Sequence, residues 1–337
     1  MKIKIKWLFI FGIICLHTSC ESQRKKVNGV SFVASSDQIN FKHTLPVKEV
    51  LANFVALMPY AFIENISSPE VQFNASKQWF GETSEGVEQY AEKFHREQVQ
   101  IMIKPQIWVW QGEYTGLINM KTESDWKKLE KNYTKFILTF AKVAQKVKAH
   151  LFCVGTELER FVVKRPEYWN DLIKEVRKVY TGKITYAANW DEYHKIDLWN
   201  VLDYIGVDAY FPLSDEESPS KEDFKKGWNK YKKEIIAVKD KFEKPVLFTE
   251  YGYRSVSYTG KEPWNSNTIE GNVDLESQKK ALEVLYEEFW DESWFAGGFL
   301  WKWFHNHGQV GGNNNNRFTP QNKPALEVIK KAYGKIE

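Results

Sequence analysis

Eight short apolar runs, separated by longer stretches with helical periodicity, constrain the fold of this chain more than any other feature of its sequence. In chain order they are Gly29–Ala34, Asn53–Pro59, Val99–Gln106, Leu151–Glu157, Lys183–Asn189, Tyr204–Tyr210, Pro245–Glu250 and Gly297–Trp303. Each run is almost continuously apolar, which is typical of strands that are covered on both faces. Runs of this kind that alternate with helices favour a parallel sheet with helical crossovers.

The stretches between the runs carry apolar residues at three- and four-residue steps. This spacing predicts an amphipathic helix over Ser124–Lys148. A second helix is predicted after Pro166, because proline is favoured in the first helical turn, and a third after Thr83, a candidate N-cap. The segment Asp191–Leu202 is barely long enough for a helix.

We therefore predict an α/β fold: a single-domain (β/α)8 TIM barrel that occupies residues 29–337. A doubly wound open sheet is the alternative. That fold commonly places a glycine-rich phosphate loop after its first strand, whereas this chain has Ala34-Ser35-Ser36-Asp37 there.

The N-terminus has the pattern of an export signal. Three lysines among the first six residues precede the apolar run Trp7–Leu16, which is too short to span a bilayer. Ser19-Cys20 follows and resembles a bacterial lipoprotein cleavage site. We predict a lipoprotein-type signal peptide over residues 1–20, lipidation of Cys20 and a polar tether over residues 21–28; an ordinary cleaved signal is the alternative. The predicted location is a bacterial outer membrane or cell surface, or otherwise the periplasm or the medium.

Charge and composition restrict the partners of the mature chain. The full sequence has 47 basic and 44 acidic residues, and the leader contains three lysines and no acid, so the mature chain has 44 of each. An even balance gives no electrostatic case for binding nucleic acid. Of the three cysteines only Cys153 lies beyond the leader, so we expect no intrachain disulfide. His305 and His307 have no third ligand nearby, and we expect neither a metal nor a cofactor; the chain is predicted to be a monomer.

In a (β/α)8 barrel, the residues at the carboxyl ends of the strands face one common opening. Here these ends supply amides, carboxylates and aromatic rings, an inventory typical of sugar binding. The residues predicted to contact a substrate are Lys104, Gln106, Trp108, Asn189, Trp190, Asp208, Tyr210, Tyr253 and Trp301. An alternative role for Asp208 is to anchor Lys104.

Two of the apolar runs end in a glutamate. Glu157 closes the fourth run and Glu250 the seventh, 93 positions later. A pair of carboxyl groups at the ends of buried strands is what glycosidic bond cleavage requires, because one protonates the departing oxygen while the other acts at the anomeric carbon. We interpret Glu159 as a loop residue, because it lies beyond the strand end.

This arrangement resembles that of the retaining glycoside hydrolases of clan A, and within the clan family 113 is the most similar. The segments that carry the resemblance are Met58-Pro59, Lys104-Pro105, Gly155-Thr156-Glu157, the run from Phe248 to Tyr253 and the run from Phe318 to Ala325. The resemblance covers roughly residues 29–335. It implies hydrolysis of β-1,4-linked mannose polymers through a covalent intermediate, with Glu157 as acid/base and Glu250 as nucleophile. Thr156 stands where the clan usually has asparagine, and Asn189 is a candidate for the missing amide.

These roles require different environments for the two carboxyl groups. Glu157 must hold a proton, so we expect a less polar environment that raises its pKa. Glu250 must stay ionised, and Tyr210 is the candidate hydrogen-bond donor to it. A carboxyl separation of about 5–5.5 Å would indicate retention, and about 6.5–9.5 Å inversion. Two alternatives remain open: a non-catalytic glycan-binding lipoprotein barrel, and the same chemistry on another β-glycan such as glucan or chitosan.

Overall fold

The computed structural model describes residues 26–265 and 271–335. The predicted signal peptide, the predicted lipidation site Cys20 and residues 21–25 of the predicted tether lie outside these residues. The described strands are β1 (Val27–Phe32), β2 (Phe54–Leu57), β3 (Tyr60–Ile63), β4 (Gln100–Ile103), β5 (Gln106–Val109), β6 (Leu151–Thr156), β7 (Lys183–Asn189), β8 (Ile205–Asp208), β9 (Val246–Tyr251) and β10 (Phe295–Trp303). The described α-helices are α1 (Phe41–Glu49), α2 (Ser84–Arg96), α3 (Glu123–Lys146), α4 (Glu159–Lys164), α5 (Pro166–Val179), α6 (Lys221–Phe242), α7 (Leu275–Phe289) and α8 (Ala325–Tyr333).

Eight of the strands form a closed barrel in the order β1-β10-β9-β8-β7-β6-β4-β2. All of these pairings are parallel, and each predicted apolar run contributes one barrel strand. The predicted single-domain (β/α)8 barrel is therefore confirmed.

The barrel begins earlier than the sequence pattern indicates. Strand β1 starts at Val27, and the side-chain ammonium of Lys26 donates to the carbonyl oxygens of Glu292 and Phe295 at 2.5 and 2.6 Å. The prediction of a tether over residues 21–28 is thus wrong for its last three residues. They look polar in sequence, but pairing with β10 and the lysine hydrogen bonds place them in the barrel.

Strands β3 and β5 form a separate two-stranded parallel sheet that the sequence analysis did not predict. Each continues a barrel strand after a proline: Pro59 separates β2 from β3, and Pro105 separates β4 from β5. Proline cannot donate to a sheet ladder, so the barrel pairing stops at these positions. Beyond them the two segments pair with each other and extend the barrel wall at its carboxyl-terminal end.

The helices that cover the barrel start where their capping signals lie. Thr122 accepts from the amide of Asp125 at the start of α3, Thr83 caps α2, and Pro166 occupies the first turn of α5. The short fifth crossover contains two 3-10 turns, Tyr193–Lys195 and Leu198–Val201. Here the fully buried Trp199 covers the barrel in place of a helix.

The core consists of the apolar strand residues and the inner faces of the helices, and Cys153 is buried within it as a free thiol. None of the helices in the described part of the chain is long and apolar enough to cross a membrane. Among the same residues, histidine, cysteine and acidic side chains nowhere form a group of three that could hold a metal ion.

Candidate active site

A pocket of about 370 Å³ opens at the carboxyl ends of the barrel strands. Both predicted carboxyl groups, Glu157 and Glu250, line it. Its other walls come from strand ends and from the segments that follow β5, β8, β9 and β10. The residues of these walls include Tyr60, Gln106, Trp108, Tyr114, Thr115, Thr156, Asn189, Asp208, Tyr210, Trp264, Trp301 and Phe318.

Glu250 lies near the end of β9 with only 6% of its surface exposed. Its Oε1 accepts a hydrogen bond from the Lys104 ammonium and a second from Gln106 Nε2 at 3.1 Å. Its Oε2 accepts from the Tyr210 hydroxyl at 2.7 Å, as the sequence analysis predicted. Each of these donors stabilises the carboxylate form, so Glu250 has three hydrogen bonds to that form without substrate.

Lys104 connects Glu250 to a second buried carboxyl group. It is fully buried and donates to both Asp208 oxygens at 3.1 and 3.0 Å, as well as to Glu250. Burial lowers the pKa of Lys104, but the charges of Asp208 and Glu250 outweigh it and raise that pKa above its ordinary value. Asp208 also accepts from Thr249 at 2.7 Å. One lysine therefore bonds two carboxyl groups, and Asp208 anchors it, although burial and the Glu250 charge still raise the pKa of Asp208 to about 7.

Glu157 follows β6 directly and has a left-handed backbone conformation, with φ of 51°. A side chain with a β-carbon is strained in this region, so the surroundings must hold it there. The Glu157 amide donates to the Ala187 carbonyl at 2.8 Å, and its carbonyl accepts from Thr115 Oγ1 at 3.1 Å. Two hydrogen bonds from neighbouring elements thus fix the peptide groups on both sides of Glu157.

The surroundings of Glu157 favour its neutral form. Burial raises the pKa of Glu157 well above its ordinary value, and the negative charges of Asp208 and Glu250 raise it further. The Lys104 charge opposes this shift without cancelling it. One pocket is therefore lined by a carboxyl group whose surroundings favour its neutral form and by a second that accepts three hydrogen bonds. Acid-assisted displacement at an acetal carbon requires such a pairing.

A fourth acid, Glu192, is connected through Tyr186 to the residue that follows Glu157, and the sequence analysis missed it. Glu192 is fully buried; it accepts from the Tyr186 hydroxyl at 2.6 Å and from the Asn189 amide at 3.1 Å. The same tyrosine hydroxyl accepts from the backbone amide of Leu158 at 2.6 Å. Burial raises the pKa of Glu192 to about 8. Nothing in the local sequence separates Glu192 from Asp191, because both follow β7 in a polar loop.

Six of the nine predicted substrate-contacting residues line the pocket: Gln106, Trp108, Asn189, Asp208, Tyr210 and Trp301. Asn189 uses its amide within the protein, since Nδ2 donates to the Tyr114 hydroxyl at 3.0 Å and Oδ1 accepts from the Trp190 amide at 2.9 Å. Thr156 also lines the pocket, and its hydroxyl donates to the Pro105 carbonyl at 3.2 Å.

Three predicted contacts are wrong. Lys104 is fully buried and acts on the pocket through Glu250 and Asp208. Tyr253 is also fully buried and packs against Phe224 of α6, because β9 ends at Tyr251 and its alternation of faces does not continue. Trp190 does not line the pocket.

Trp190 instead supports a residue that does. Its ring stacks on Trp264 at 5.1 Å between centroids, with 22° between the planes, while its other contacts are to Phe211 and Tyr231. Trp264 lines the pocket and is 42% exposed. Sequence reasoning had no means of choosing Trp264, because it lies in the long loop after β9, away from any strand end.

Tyr60, Tyr114, Thr115 and Phe318 are further pocket residues that the sequence analysis did not single out as substrate contacts. Tyr60 directly follows the second predicted run, Asn53–Pro59, and this position was the signal that could have identified it. The other three lie in loops, where position along the chain gives no such signal.

Comparison with solved structures places the fold among glycosidases. A β-1,4-mannanase of glycoside hydrolase family 113, solved as a complex, is 23% identical with a TM-score of 0.80, and the match covers 93% of this chain and 100% of that one. The β-mannanase AaManA of the same family from Alicyclobacillus acidocaldarius, in complex with ManMIm, is 23% identical with a TM-score of 0.81, over 93% and 98% of the two chains. A β-glucuronidase from Faecalibacterium prausnitzii is 15% identical with a TM-score of 0.61, over 93% of this chain and 49% of that one. At these sequence identities, the similarity to the three structures shows a shared fold and nothing further.

The comparison with curated proteins gave no match. A family model is more informative: the model for Glycoside Hydrolase Family 113 matches residues 37–323, which is most of the chain and includes both pocket glutamates. The protein therefore is a glycoside hydrolase and belongs to glycoside hydrolase family 113.

Proposed function

We propose that the protein hydrolyses β-1,4-linked mannan by double displacement, with Glu157 as acid/base and Glu250 as nucleophile. The observation that carries the proposal is the opposite environment of the two carboxyl groups in one pocket. Burial raises the pKa of Glu157, whereas Glu250 accepts hydrogen bonds from Lys104, Gln106 and Tyr210. Family membership and the β-mannanases among the similar structures support mannan as the substrate.

The reaction has two steps. In the first, a Glu250 oxygen attacks the anomeric carbon while the Glu157 proton passes to the departing glycosidic oxygen, which leaves as a free hydroxyl. In the second, Glu157, now ionised, removes a proton from water; the water oxygen attacks the anomeric carbon and releases Glu250. Two inversions at one carbon retain the configuration of the product.

The test compares the wild type with Glu250→Ala on mannan, glucomannan, xylan, cellulose and chitosan, with measurement of new reducing ends and product lengths. We expect the wild type to act on the mannans and Glu250→Ala to lose activity by several orders of magnitude while it stays folded. Glu159→Ala is the matched control, because this carboxylate pairs with Lys195 at the surface and should be dispensable. Wild-type rates from folded Glu250→Ala would refute the assignment. Preference of the wild type for another polymer would refute the substrate, and binding without cleavage would favour a glycan-binding protein.

Two further measurements test the roles of the glutamates. Proton NMR of the first product formed should show the β-anomer; the α-anomer would indicate inversion. Glu157→Ala should lose most kcat/KM on substrates with poor leaving groups and least on activated aryl glycosides. Equal losses on both substrate classes would contradict the acid role.

We also propose that the protein is exported as a monomer and anchored to a bacterial membrane through a lipid on Cys20. The proposal is supported by the three N-terminal lysines, the apolar run and the Ser19-Cys20 pair. Metabolic labelling with a fatty acid should label the wild type and not Cys20→Ala. Light scattering of the chain from residue 21 onward should give a monomer mass, and a dimer mass would contradict this part of the proposal.

A further inference from the structure

The two-stranded sheet of β3 and β5 has one apolar face toward the core and a second face toward solvent. Ala61, Ile63, Ile107 and Val109 are buried on the first face. Alternation along the strands places Tyr60 and Phe62 of β3 with Gln106 and Trp108 of β5 on the second face, in register across the pair.

This second face leads directly out of the catalytic pocket. Tyr60, Gln106 and Trp108 line the pocket, and Gln106 donates to Glu250. Two positions after Trp108, Trp110 stacks on Phe62, with 4.9 Å between ring centroids and 22° between planes. At about 3.3 Å per residue, the face extends about 13 Å from Gln106 to Trp110.

The outer part of this face presents large apolar rings to solvent. Trp108 is 53% exposed and Trp110 is 63% exposed, even though both belong to an otherwise well-packed wall. Flat indole rings match the apolar faces of pyranose rings, and Trp110 is held in place by its stacking on Phe62. The continuity with the pocket identifies the occupant as the same glycan chain.

We propose that Trp108 and Trp110 form an extended binding face for sugar units of a β-linked glycan beyond those held at the carboxyl groups. This inference rests on the proposed function and adds that the protein favours long chains over short ones. Loss of Trp110 should therefore affect only chains long enough to reach it.

The experiment is calorimetric titration of the non-cleaving Glu250→Ala variant with β-1,4-manno-oligosaccharides of increasing length. Affinity should rise with length in this variant, and the rise over the longest members should be lost in Glu250→Ala/Trp110→Ala. We expect a loss of about three- to tenfold for the longest members and no change for a disaccharide. Glu250→Ala/Phe41→Ala is the control, because Phe41 is a 58% exposed aromatic residue outside the pocket.

Equal affinity of the two variants at every length, or an equal loss at every length, would overturn the inference. If no manno-oligosaccharide binds, the proposed substrate is wrong. The same variants are then titrated with oligosaccharides of the glycan that the wild type cleaves. Equal affinity at every length, or an equal loss at every length, would again overturn the inference.

A second inference comes from the buried Glu192. Its carboxyl group joins the ends of β6 and β7: one oxygen accepts from Tyr186, whose hydroxyl accepts from Leu158 N–H, and the other accepts from Asn189 N–H. Leu158 directly follows Glu157, whose left-handed backbone needs support from its surroundings. Tyr186 is itself fully buried and packs against Trp169 at 5.6 Å between centroids.

We infer that Glu192 is a positioning residue that, through Tyr186, holds the Glu157 carboxyl in the orientation for proton transfer. This inference also rests on the proposed function. Glu192→Ala removes the group that accepts from both Tyr186 and Asn189, and Tyr186→Phe removes the connection to Leu158 altogether.

The test measures kcat/KM of both variants on aryl β-mannosides whose leaving groups differ in pKa. We expect a loss of about tenfold or more with poor leaving groups and little loss with activated ones, because only the former need a well-placed acid. Glu159→Gln is the control. A uniform loss across leaving groups, or a lowered Tm alone, would show a purely structural role and overturn the inference. An inactive wild type would instead refute the proposed function, and crystal structures of the two variants would then show whether the Glu157 side chain has moved.

Discussion

At the residue scale, the site depends on how three carboxyl groups and one lysine share charge in a buried place. Lys104 contacts Asp208 and Glu250, while Glu157 has no cation bonded to it among the described residues. Burial, the charges of Asp208 and Glu250 and the lack of a bonded cation together favour the neutral form of Glu157. This division of roles follows from position alone, since Glu157 and Glu250 are chemically identical.

The raised pKa of Glu157 predicts a cost in stability. An acid whose pKa is raised by folding binds its proton more tightly in the folded state, so the wild type loses stability as the pH rises above about 4.3, the ordinary glutamate value. Glu157→Gln has no such proton. Its Tm should match that of the wild type at acid pH and exceed it by a few degrees at neutral and alkaline pH.

Thermal unfolding followed by circular dichroism across pH checks this expectation. Glu159→Gln is the control, because its surface pair with Lys195 should contribute little at any pH. Parallel Tm curves for the wild type and Glu157→Gln would contradict a raised pKa.

Removal of Lys104, the lysine that Asp208 and Glu250 share, should change the stability of the protein far more than the Glu157 substitution does. Lys104→Met leaves Asp208 and Glu250 buried without their cation, and loss of one partner of a buried ion pair costs about 3–5 kcal/mol. We expect urea unfolding to show a loss of this size, together with a large loss of kcat.

Lys323→Met is the matched comparison. Lys323 is also buried, but it donates to the Ser255 hydroxyl and the Arg317 carbonyl, both of which are neutral. Burial lowers the pKa of Lys323 to about 7. A smaller loss is expected for this variant, and equal losses would argue against the charge-sharing account.

At the element scale, strand ends determine what the sequence can reveal about the site. Glu157, Glu250 and Tyr210 were predictable because each lies at or near the end of an apolar run. Glu192 and Trp264 were not, since they occupy loops whose path depends on tertiary contacts. The sheet of β3 and β5 was missed for a different reason: a proline after an apolar run normally marks the end of a strand, and only pairing in three dimensions shows that the segment beyond it is extended.

Close packing behind β6 explains the glycine that precedes Thr156-Glu157. A β-carbon at Gly155 would lie 2.7 Å from the Trp169 ring and 2.8 Å from the Tyr133 hydroxyl. Gly155→Ala should therefore destabilise the protein by about 1–3 kcal/mol and lower kcat by displacing the strand end that carries Glu157.

The control for Gly155→Ala is Gly308→Ala, because a β-carbon at Gly308 would meet nothing within 4 Å. Urea unfolding should show a change below about 0.5 kcal/mol for this variant. Similar stability of the two variants would show that the packing behind β6 can relax.

At the scale of the whole molecule, the fold followed from the sequence more completely than the site did. Eight apolar runs with helical spacing between them gave the closed barrel, because this pattern is repeated and each copy supports the others. The ends of the barrel were harder to place. Lys26 and Asn28 look like solvent-exposed residues, and only their contacts with the last strand and last helix make them part of the barrel.

Closure by β1 predicts how truncation affects the barrel. A chain that begins at Lys26 should keep the Tm of a chain that begins at residue 21, since it retains β1 and the lysine hydrogen bonds. A chain that begins at Val33 lacks the strand that pairs with both β2 and β10 and should lose cooperative unfolding. Differential scanning calorimetry distinguishes the two, and a cooperative transition in the shorter chain would show that the barrel closes without β1.

The pairing of β1 with β10 also determines when the barrel can close during biosynthesis. The first strand leaves the ribosome with one edge unpaired, and that edge stays open until translation has reached Trp303. For most of its synthesis the nascent chain is therefore an unfinished sheet, which chaperones can still engage.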